Sequence, residues 1–354
     1  MTMRKKSNIQ AVDLFCGAGG LTHGLLEEGI NVTAGIDIDE ACRYPYVANN
    51  KAAFLHSDIT KVKAKTVESY FTEGSLRLLA GCAPCQPFSA YTNGRDTTAD
   101  HKWGLLYQFA RLVRQVAPEL VTMENVPQVT KHSVFLDFVD SLKSDGYFVS
   151  YNVVYCPDYG IPQHRKRLVL LASKLGKIEL LPPTHTAGNY RTVRDTIAEL
   201  PSLEAGAAFE KDSLHRASRM TPLNLKRIRQ SSPGGTWRDW DQKLVADCHK
   251  KDSGKSFPGV YGRMEWDKPS PTITTLAYGF GNGRFGHPEQ DRALSLREAA
   301  LLQTFPLKYQ FVEPGAEVRM REAGRLIGNA VPVDLGKVLG RTLRLHVASA
   351  VHTA

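Results

Sequence analysis

Near its N-terminus the chain carries an apolar run, a glycine-rich turn and an amphipathic helix in direct succession, a pattern that few folds accommodate. Residues 9–15 predict a buried strand, residues 16–20 form the turn, and residues 21–28 place leucines on one face of a helix. Glycines in such a turn let backbone amides approach a ligand at the end of the strand. The pattern predicts a nucleotide-type cradle that opens an α/β sheet, although a simple tight turn would use the same residues.

Carboxylates end the next two strand-like runs. Asp37 closes the run 32–37, where an acidic residue is placed to bind ribose hydroxyls. Asp58 lies near the end of the run 54–59, where it would accept from an adenine amine if the strands are parallel, or cap the next helix. Thr22 occupies the third glycine position of a dinucleotide motif. The spacing therefore favours an adenosine cofactor without a pyrophosphate over a dinucleotide.

A thiol between two prolines follows the next apolar run. Residues 77–80 predict a short strand, and Pro84 and Pro87 on either side of Cys85 rule out a continued strand or an immediate helix. A stiff, exposed turn of this kind presents a nucleophile, whereas Cys82, directly after the strand, is expected to point into packing. The same residues are compatible with a buried structural cysteine, a redox pair of the two thiols, or half of a zinc site.

Further polar features accompany this turn. The strand 118–127 carries Glu124 near its end, so its carboxylate would share a sheet edge with Cys85. The polar stretch 91–102 predicts a long loop of the kind that closes over a substrate. The basic segment 161–167 joins two later strands and, taken alone, predicts a surface turn.

Composition narrows the class of protein. With 354 residues, 42% of them hydrophobic, the chain has ample apolar material for one large domain or two moderate ones. No run approaches the roughly 18 apolar residues of a membrane span, and no signal peptide is apparent, which predicts a cytoplasmic protein without a membrane partner. The chain has 6 cysteines with one close pair, which predicts free thiols in a reducing compartment and no structural metal.

The alternation of strands and helices fades after about residue 176. From there to about residue 288, glycine, proline, arginine and aromatic residues are frequent. The formal charge of +9 and the pI near 9.2 favour a polyanionic partner. Basic residues interleaved with Trp237 and Trp240 are typical of phosphate contacts combined with stacking, although a solvated basic face has the same composition. The glycine-rich residues 278–286 predict a loop that enters a groove, or a wide hairpin.

Six motifs occur together in the order typical of the bacterial DNA cytosine-5 methyltransferases, which the chain closely resembles over nearly its whole length. They are the cofactor loop at 13–20, Pro-Cys-Gln at 84–86, Glu-Asn-Val at 124–126, Gln-x-Arg-x-Arg at 163–167, a support helix with residues 297–300 and 303–306, and Gly-Asn-Ala-Val-Pro at 328–332. The resemblance implies an α/β fold. Its parts would be a Rossmann-like sheet of the S-adenosylmethionine-dependent methyltransferase kind and a smaller, irregular target-recognition domain.

The resemblance also divides the chain. It implies a catalytic and cofactor-binding domain at 1–178, a target-recognition domain at 179–290, a support helix region of the small domain at 291–326, and a closing motif with a helix that returns to the catalytic domain at 327–354. Two departures from the family pattern stand out. Lys102-Trp103 replaces a usual Arg-Gly before the next helix, and Ala83 replaces a frequent proline. The first departure puts in doubt how the loop 91–102 is anchored.

The functional residues of the family carry over by position. The expected contacts with S-adenosylmethionine, or with its product S-adenosylhomocysteine, are Phe15, Gly17, Gly19, Gly20, Leu21, Asp37, Ile38, Asp58, Ile59, Leu105 and Asn329. The expected catalytic residues are Cys85, Gln86, Glu124, Arg165 and Arg167. The expected DNA contacts are Ser89, Tyr91, Arg263, Thr275, Leu276 and Arg284.

The chemistry of cytosine methylation also requires a nucleophile and a group that binds the ring. Carbon 5 of cytosine is a poor nucleophile, so a thiolate must first add at carbon 6. Cys85 is the candidate, and Arg165 in a dry site would help to hold it as thiolate, because a thiol with a pKa of about 8.5 is mostly protonated at neutral pH. Glu124 would bond ring N3 and the amino group. Since carbon 6 is inaccessible in a stacked duplex, the base must also be flipped out.

The expected function is DNA (cytosine-5-)-methyltransferase activity on a specific double-stranded sequence by a monomer. The enzyme would act as a stand-alone methylase or beside a separate cognate restriction endonuclease. A transfer-RNA cytosine-5 methyltransferase of the same fold is the alternative among enzymes, and comparing activity on the two nucleic acids distinguishes them. A non-catalytic DNA-binding protein would leave Cys85, Glu124 and Arg165 without a use. A thioredoxin-like oxidoreductase would leave the adenosine-type loop idle.

Overall fold

A computed structural model of the protein describes residues 8–84 and 104–353. Within these residues the chain forms two compact units. The first contains the described residues up to 155 together with 166–183 and those from 331 onward, and the second contains 156–165 and 184–330. Several residues singled out in the sequence lie outside the described residues, namely Cys85, Gln86, Ser89, Tyr91, Lys102 and Trp103.

A seven-stranded sheet forms the centre of the first unit. Its strands are β1 (Ile9–Leu14), β2 (Asn31–Asp37), β3 (Ala53–His56), β4 (Leu76–Gly81), β5 (Leu120–Asn125), β6 (Phe148–Tyr155) and β7 (Lys166–Ser173). They lie in the order β3-β2-β1-β4-β5-β7-β6. Strands β1 to β5 pair in parallel, whereas β7 runs antiparallel to both of its neighbours. The predicted α/β class is therefore confirmed.

Helices accompany this sheet. They are α1 (Gly20–Glu27), α2 (Arg43–Asn50), α3 (Ala64–Glu68), α4 (Gly104–Val116), α5 (Ser133–Ser144) and the C-terminal α12 (Val333–Thr353). Every residue of β1 and β5 is buried, as expected for inner strands of a parallel sheet. Phe109 of α4 and Phe135 and Phe138 of α5 pack into the same core. The order of the strands reverses between β1 and β4, where open α/β sheets bind ligands beyond the carboxyl ends of their strands.

The second unit has little regular structure, in keeping with the loss of periodicity in the sequence. Its short hairpin pairs β8 (Ala208–Phe209) with β9 (Asp212–Arg216). Its helices are α6 (Val193–Ile197), α7 (Pro222–Gln230), α8 (Asp247–Lys250), α9 (Asp252–Lys255), α10 (Leu296–Leu302) and α11 (Met320–Asn329). Small apolar clusters hold it together, one of them built on Trp237, Trp240 and Val245.

Buried ion pairs fix α10 in the second unit. Arg292 and Glu298, both almost fully buried, form a two-pronged pair with distances of 2.8 and 2.6 Å. Glu298 also accepts from the backbone N–H of Ser295, whose hydroxyl in turn caps the helix. Arg297 pairs with Asp212 on β9. The charged residues of the expected support helix therefore form ion pairs inside this unit.

The division of the chain differs from the boundary expected at residue 178. Residues 156–165 belong to the second unit because Gln163 is fully buried in it, where its amide donates to Leu302 O at 3.1 Å and to Gln303 Oε1 at 2.9 Å. Its Oε1 accepts from the backbone N–H of Ile273 at 2.8 Å. At the C-terminal end, residues from 331 onward lie in the first unit.

Glycines allow α12 to lie directly against α1. A Cβ added at Gly24 would stand 2.3 Å from Val333 O and 2.6 Å from Lys337 N, and both of these atoms are backbone. A Cβ at Gly336 would stand 2.9 Å from Leu21 O. The Lys337 ammonium closes the contact at 2.6 Å from the Glu27 carboxylate. No side chain larger than hydrogen fits between the two helices at Gly24.

Replacing Gly24 with alanine should therefore separate α1 from α12. We expect a loss of about 1–3 kcal/mol in unfolding free energy, typical of an overpacked site that can relax only by moving backbone. Urea unfolding followed by circular dichroism would measure it. Gly104→Ala is the helical control, because no described residue lies within 4 Å of a Cβ at that position. Equal stability of the two variants would contradict this account of the contact.

Candidate active site

The loops after β1, β2, β4 and β5 leave the sheet at one edge, because these strands are parallel. The backbone N–H of Phe15 donates to Ile36 O at 2.8 Å. The N–H of Cys82 donates to Leu14 O at 3.3 Å, and the Asn125 amide donates to Ala83 O at 3.3 Å. Backbone contacts thus tie the turn after β1 and the segment that leads to Cys85 to the same edge.

The turn after β1 has the shape of a cradle. Phe15, Gly17 and Gly19 adopt left-handed φ angles of 60°, 53° and 91°. Among residues 8–84 and 104–353, nothing lies within 4 Å of a Cβ added at Gly17, so these residues leave the space above it open. Gly19 precedes the first turn of α1, where backbone N–H groups point outward. An unfilled glycine turn at the switch point of the sheet fits a small-molecule cofactor.

Asp37 lies beside this cradle at the end of β2. Its carboxylate accepts from the N–H of Gly17 at 2.8 Å and from the N–H of Asp39 at 2.9 Å. Burial raises the pKa of Asp37, although both backbone hydrogen bonds act in the opposite direction. The next side chain, Ile38, is 65% exposed and offers an apolar surface. A carboxylate and an exposed apolar side chain next to an open turn fit the ribose and the base of an adenosine.

Several other expected cofactor residues make contacts within the protein or belong to the second unit. Asp58 accepts from the N–H of Thr60 at 2.9 Å and so caps a short 3-10 turn, which was the alternative assignment for this residue. The side chains of Leu21 and Ile59 are buried, so only their backbone could face a ligand. Leu105 packs against the core of the first unit. Asn329 is exposed at the end of α11 in the second unit.

Asp13, inside β1, is the first residue of the cofactor-loop motif, but the sequence assigned it no role of its own. It is 1% exposed, and it accepts from the hydroxyl of Thr22 at 2.7 Å. The Tyr46 hydroxyl lies 3.1 Å from the same Thr22 oxygen. Burial raises the pKa of Asp13 to about 7, and the charge of Asp37 adds to the effect. Thr22 departs from the glycine of a dinucleotide motif, and its hydroxyl binds this buried carboxyl. A carboxylate within an apolar strand was the available signal.

Glu124, at the end of β5, is a buried carboxylate of the same edge. It is 2% exposed, and the guanidinium Nε of Arg167 stands 2.8 Å from its Oε1. The thiol of Cys82 donates to its Oε2 at 2.9 Å. Three neighbouring strands, β4, β5 and β7, thus bring together a thiol, a carboxylate and a guanidinium. The expectation that Cys82 points into packing is wrong, because its thiol is hydrogen-bonded to Glu124 at the edge of the sheet.

The cysteines in the described part of the chain form no disulfide with one another; they are Cys16, Cys42, Cys82, Cys156 and Cys248. Within residues 8–84 and 104–353, no group of histidine, cysteine or acidic side chains could hold a metal ion. Among the helices of these same residues, none is both long and apolar enough to span a membrane.

Arg165 has its hydrogen-bond partners in the second unit. The side chain is 4% exposed, and its guanidinium donates to Gln163 Oε1 at 3.4 Å, to Ile273 O at 3.2 Å and to Ala330 O at 3.4 Å. These bonds join the basic segment to residues near Thr275. The expected role of Arg165 beside Cys85 stays a prediction.

The expected DNA contacts differ in how far their side chains are available. Arg263 is 5% exposed and donates to four backbone carbonyls and to Asp291, so we drop it from the proposed contacts. Arg284 is half-buried and donates to Gly235 O at 2.6 Å. Thr275 is half-buried and Leu276 is 42% exposed. The last two remain candidates for a loop that meets DNA.

The known proteins that are similar to this chain in sequence are DNA methylases. Residues 9–344 match the family model described as C-5 cytosine-specific DNA methylase. The chain is 54% identical over 336 residues to the type II methylase M.HgiDII of Herpetosiphon aurantiacus, with 94% of each chain covered. It is 28% identical over 351 residues to the type II methyltransferase M.Sau96I of Staphylococcus aureus, which covers 96% of this chain and 77% of the relative.

Solved structures share the fold. A prophage-encoded protein of Escherichia coli matches with a TM-score of 0.75 at 20% identity, over 96% of this chain and 100% of the other. A mutant of DNMT2 from Spodoptera frugiperda matches with a TM-score of 0.65 at 16% identity, over 96% and 100% of the two chains. At such identities the likeness concerns the fold alone. It confirms the Rossmann-like methyltransferase sheet predicted from the sequence.

The raised pKa of Asp13 predicts a pH dependence of stability. Below about pH 4 the carboxyl is neutral in both states, and between about 4 and 7 only the unfolded chain loses the proton, so stability falls as the pH rises. Asp13→Asn lacks this loss. We expect the wild type to lose on the order of 2 kcal/mol relative to Asp13→Asn between pH 5 and pH 8. Urea midpoints at both pH values would measure it, and a constant difference would contradict it.

Asp37→Ala should weaken cofactor binding without weakening DNA binding, because its expected partner is a ribose. Loss of a charged hydrogen-bond acceptor should raise the dissociation constant for S-adenosylmethionine about tenfold or more. Isothermal calorimetry would measure it, with Asp39→Ala as a control that removes a carboxylate two residues away, one that accepts from Ala41 N–H. Unchanged cofactor affinity in Asp37→Ala would remove the proposed role.

Proposed function

Because the chain belongs to the family of C-5 cytosine-specific DNA methylases, we propose that it methylates a flipped-out cytosine in a specific duplex sequence, through a covalent bond from Cys85. The resemblance seen in the sequence is confirmed by this membership, as are the enzyme class and S-adenosylmethionine as cofactor. The observation that carries the proposal is the buried Glu124 carboxylate. It is held by Arg167 at the end of the strand next to the one that leads to Cys85.

The cofactor would be held by residues around the open turn. Among the described residues the space beside Gly17 leaves room for it, the backbone at Gly19 and Gly20 is proposed to contact it, Asp37 would accept from its ribose hydroxyls, and Ile38 would pack on its adenine. The further contacts proposed from the family pattern are Phe15, Leu21, Asp58, Ile59, Leu105 and Asn329. When bound, S-adenosylmethionine supplies an electrophilic methyl group on a positively charged sulfur, in reach of a carbon made nucleophilic by the enzyme.

Cys85 and Glu124 would perform the steps on the base. The Cys85 thiolate adds to carbon 6 of the cytosine, which makes carbon 5 nucleophilic. Glu124 donates a proton to ring N3, which neutralises the negative charge that develops on the ring as the thiolate adds, and its other oxygen accepts a hydrogen bond from the amino group. After methylation, loss of the proton on carbon 5 lets the thiolate leave carbon 6 and restores the aromatic ring. Arg167 holds Glu124 in place, and Arg165 and Gln86 are proposed to support the thiolate and the base.

Flipping the base costs a few kcal/mol, which contacts with the DNA backbone would offset. The formal charge of +9 supports such contacts. Candidates are Ser89 and Tyr91, next to the nucleophile in sequence, and Thr275, Leu276 and Arg284 in the second unit. We propose that this unit carries the recognition of the DNA sequence.

The biological setting is proposed from the relatives. Both M.HgiDII and M.Sau96I are named as type II enzymes, which supports a place in a restriction-modification system beside a separate endonuclease. We propose a monomer that acts in the bacterial cytoplasm. A stand-alone methylase would have the same chemistry.

Trapping with 5-fluorocytosine tests the mechanism. The target is first found by bisulfite sequencing of DNA from cells that express the protein, and a duplex with 5-fluorocytosine at the target base is then prepared. Because fluorine cannot leave as a cation after methylation, elimination stalls and the enzyme stays attached. Wild type and Cys82→Ser should give a denaturant-resistant adduct with S-adenosylmethionine, whereas Cys85→Ser should bind the DNA and give none.

Two results would overturn this assignment. An adduct that survives Cys85→Ser but is lost in Cys82→Ser would identify the other thiol as the nucleophile. No adduct with wild type on a confirmed target would remove the covalent mechanism. A parallel incubation with transfer RNA tests the alternative substrate, since methylation of transfer RNA without methylation of DNA would contradict the proposed function.

A further inference from the structure

The carboxylate of Glu124 has a hydrogen-bond partner that the proposed mechanism does not use. Arg167 stands 2.8 Å from one oxygen, and the Cys82 thiol donates to the other at 2.9 Å. Glu124 is 2% exposed, and within the described residues its Oε1 has the Arg167 charge beside it but accepts no hydrogen bond, so the Cys82 thiol supplies the hydrogen bond that this carboxylate has. The thiol therefore occupies the oxygen that Arg167 leaves available.

The position of this thiol is fixed by the backbone on both of its sides. The Cys82 N–H donates to Leu14 O on β1, and the carbonyl of Ala83 accepts from Asn125, which follows Glu124 on β5. A Cβ at Gly81 would stand 2.9 Å from Leu14 O, so the segment lies directly against β1. The backbone next to the thiol is therefore hydrogen-bonded to β5, the strand that carries Glu124.

The chemical character of the donor matters as much as its position. A thiol is a weak hydrogen-bond donor, whereas an ammonium or a guanidinium would bind a carboxylate strongly. A weak donor satisfies the buried oxygen while the site is empty. It then yields the oxygen at little cost to a stronger donor such as the cytosine amino group.

We propose that Cys82 is a positioning residue, which keeps the second oxygen of Glu124 hydrogen-bonded and oriented until the target base takes its place. The proposal rests on the proposed function, because it assigns the released oxygen to the base. Cys82 acts through Glu124 and forms no bond to the substrate. Its role differs in this respect from that of Cys85.

Two substitutions at Cys82 test this role, one that removes the hydrogen-bond donor and one that keeps a donor at a similar side-chain size. Cys82→Ala removes the donor and should lower kcat about three- to tenfold, the effect of one lost modest hydrogen bond in the reaction. KM for S-adenosylmethionine should not change, because the cradle lies on other loops. Cys82→Ser keeps a donor and should restore kcat to within about twofold of wild type. Cys42→Ala controls for the loss of a buried thiol elsewhere in the first unit.

A double-mutant cycle tests whether the effect passes through Glu124. In a Glu124→Gln background, where the carboxylate is gone, Cys82→Ala should cause no further loss of single-turnover rate. Additive losses would overturn the proposal, as would an unchanged kcat in Cys82→Ala. Melting temperatures identify a variant that fails to fold, and Cys82→Ser keeps the test decisive in that case. A folded Cys82→Ser with a loss of the size predicted for the donor-free variant would also overturn it.

Failure of this inference is distinguishable from failure of the proposed function. Absence of a wild-type adduct with 5-fluorocytosine DNA would remove the covalent mechanism, whatever the kinetics of the Cys82 variants. A wild-type adduct together with full activity of Cys82→Ala would leave the mechanism intact and remove only the positioning role.

Discussion

The arrangement of the first unit depends on one buried charge. Glu124 ends β5 in a nearly inaccessible position, where an ionised carboxylate is costly unless donors from the protein surround it. Its partners come from the strands on either side: Arg167, at the start of β7, forms an ion pair with Oε1, and Cys82, beyond the end of β4, donates to Oε2. Only an antiparallel β7 brings its first residues to the edge where β5 ends. The reversed strand, which interrupts an otherwise parallel series, is thus required by the site.

The cofactor cradle uses the same edge for a different physical reason. At the switch between β1 and β4 the strand order reverses, and the N–H of Cys82 after β4 donates to Leu14 O at the end of β1. Gly81 is needed there because the carbonyl of Leu14 comes too close for a side chain. Behind the cradle, Asp13 and Thr22 join the strand to the helix that follows the turn. The cradle and the carboxylate are therefore built from neighbouring strands of one rigid sheet.

Sequence reasoning could find the residues that end apolar runs, because a carboxylate at such a position is visible without knowledge of its neighbours. Asp37 and Glu124 were identified in this way, and the order of the motifs gave the family. The partners of these residues could not be found, since pairing depends on which strands lie side by side. The thiol of Cys82 is expected in packing from the sequence because its partner, Glu124, lies on a strand distant in sequence. Residues 156–165 were given to the first unit because the buried position of Gln163 depends on contacts distant in sequence.

DNA binding is not the only explanation for the basic composition of the second unit. A unit with few strands and short helices has many carbonyls without partners in regular structure, and these must be satisfied where they are buried. Arginine can reach several of them at once, as Arg263 does with four. Arg292 and Arg297 neutralise acidic partners of the same unit, and the two tryptophans taken as stacking platforms form an apolar core. Arginine and aromatic content therefore overstates the number of nucleic-acid contacts in an irregular unit. Exposed side chains on its loops, such as Leu276, are the better indicators of where DNA would meet the protein.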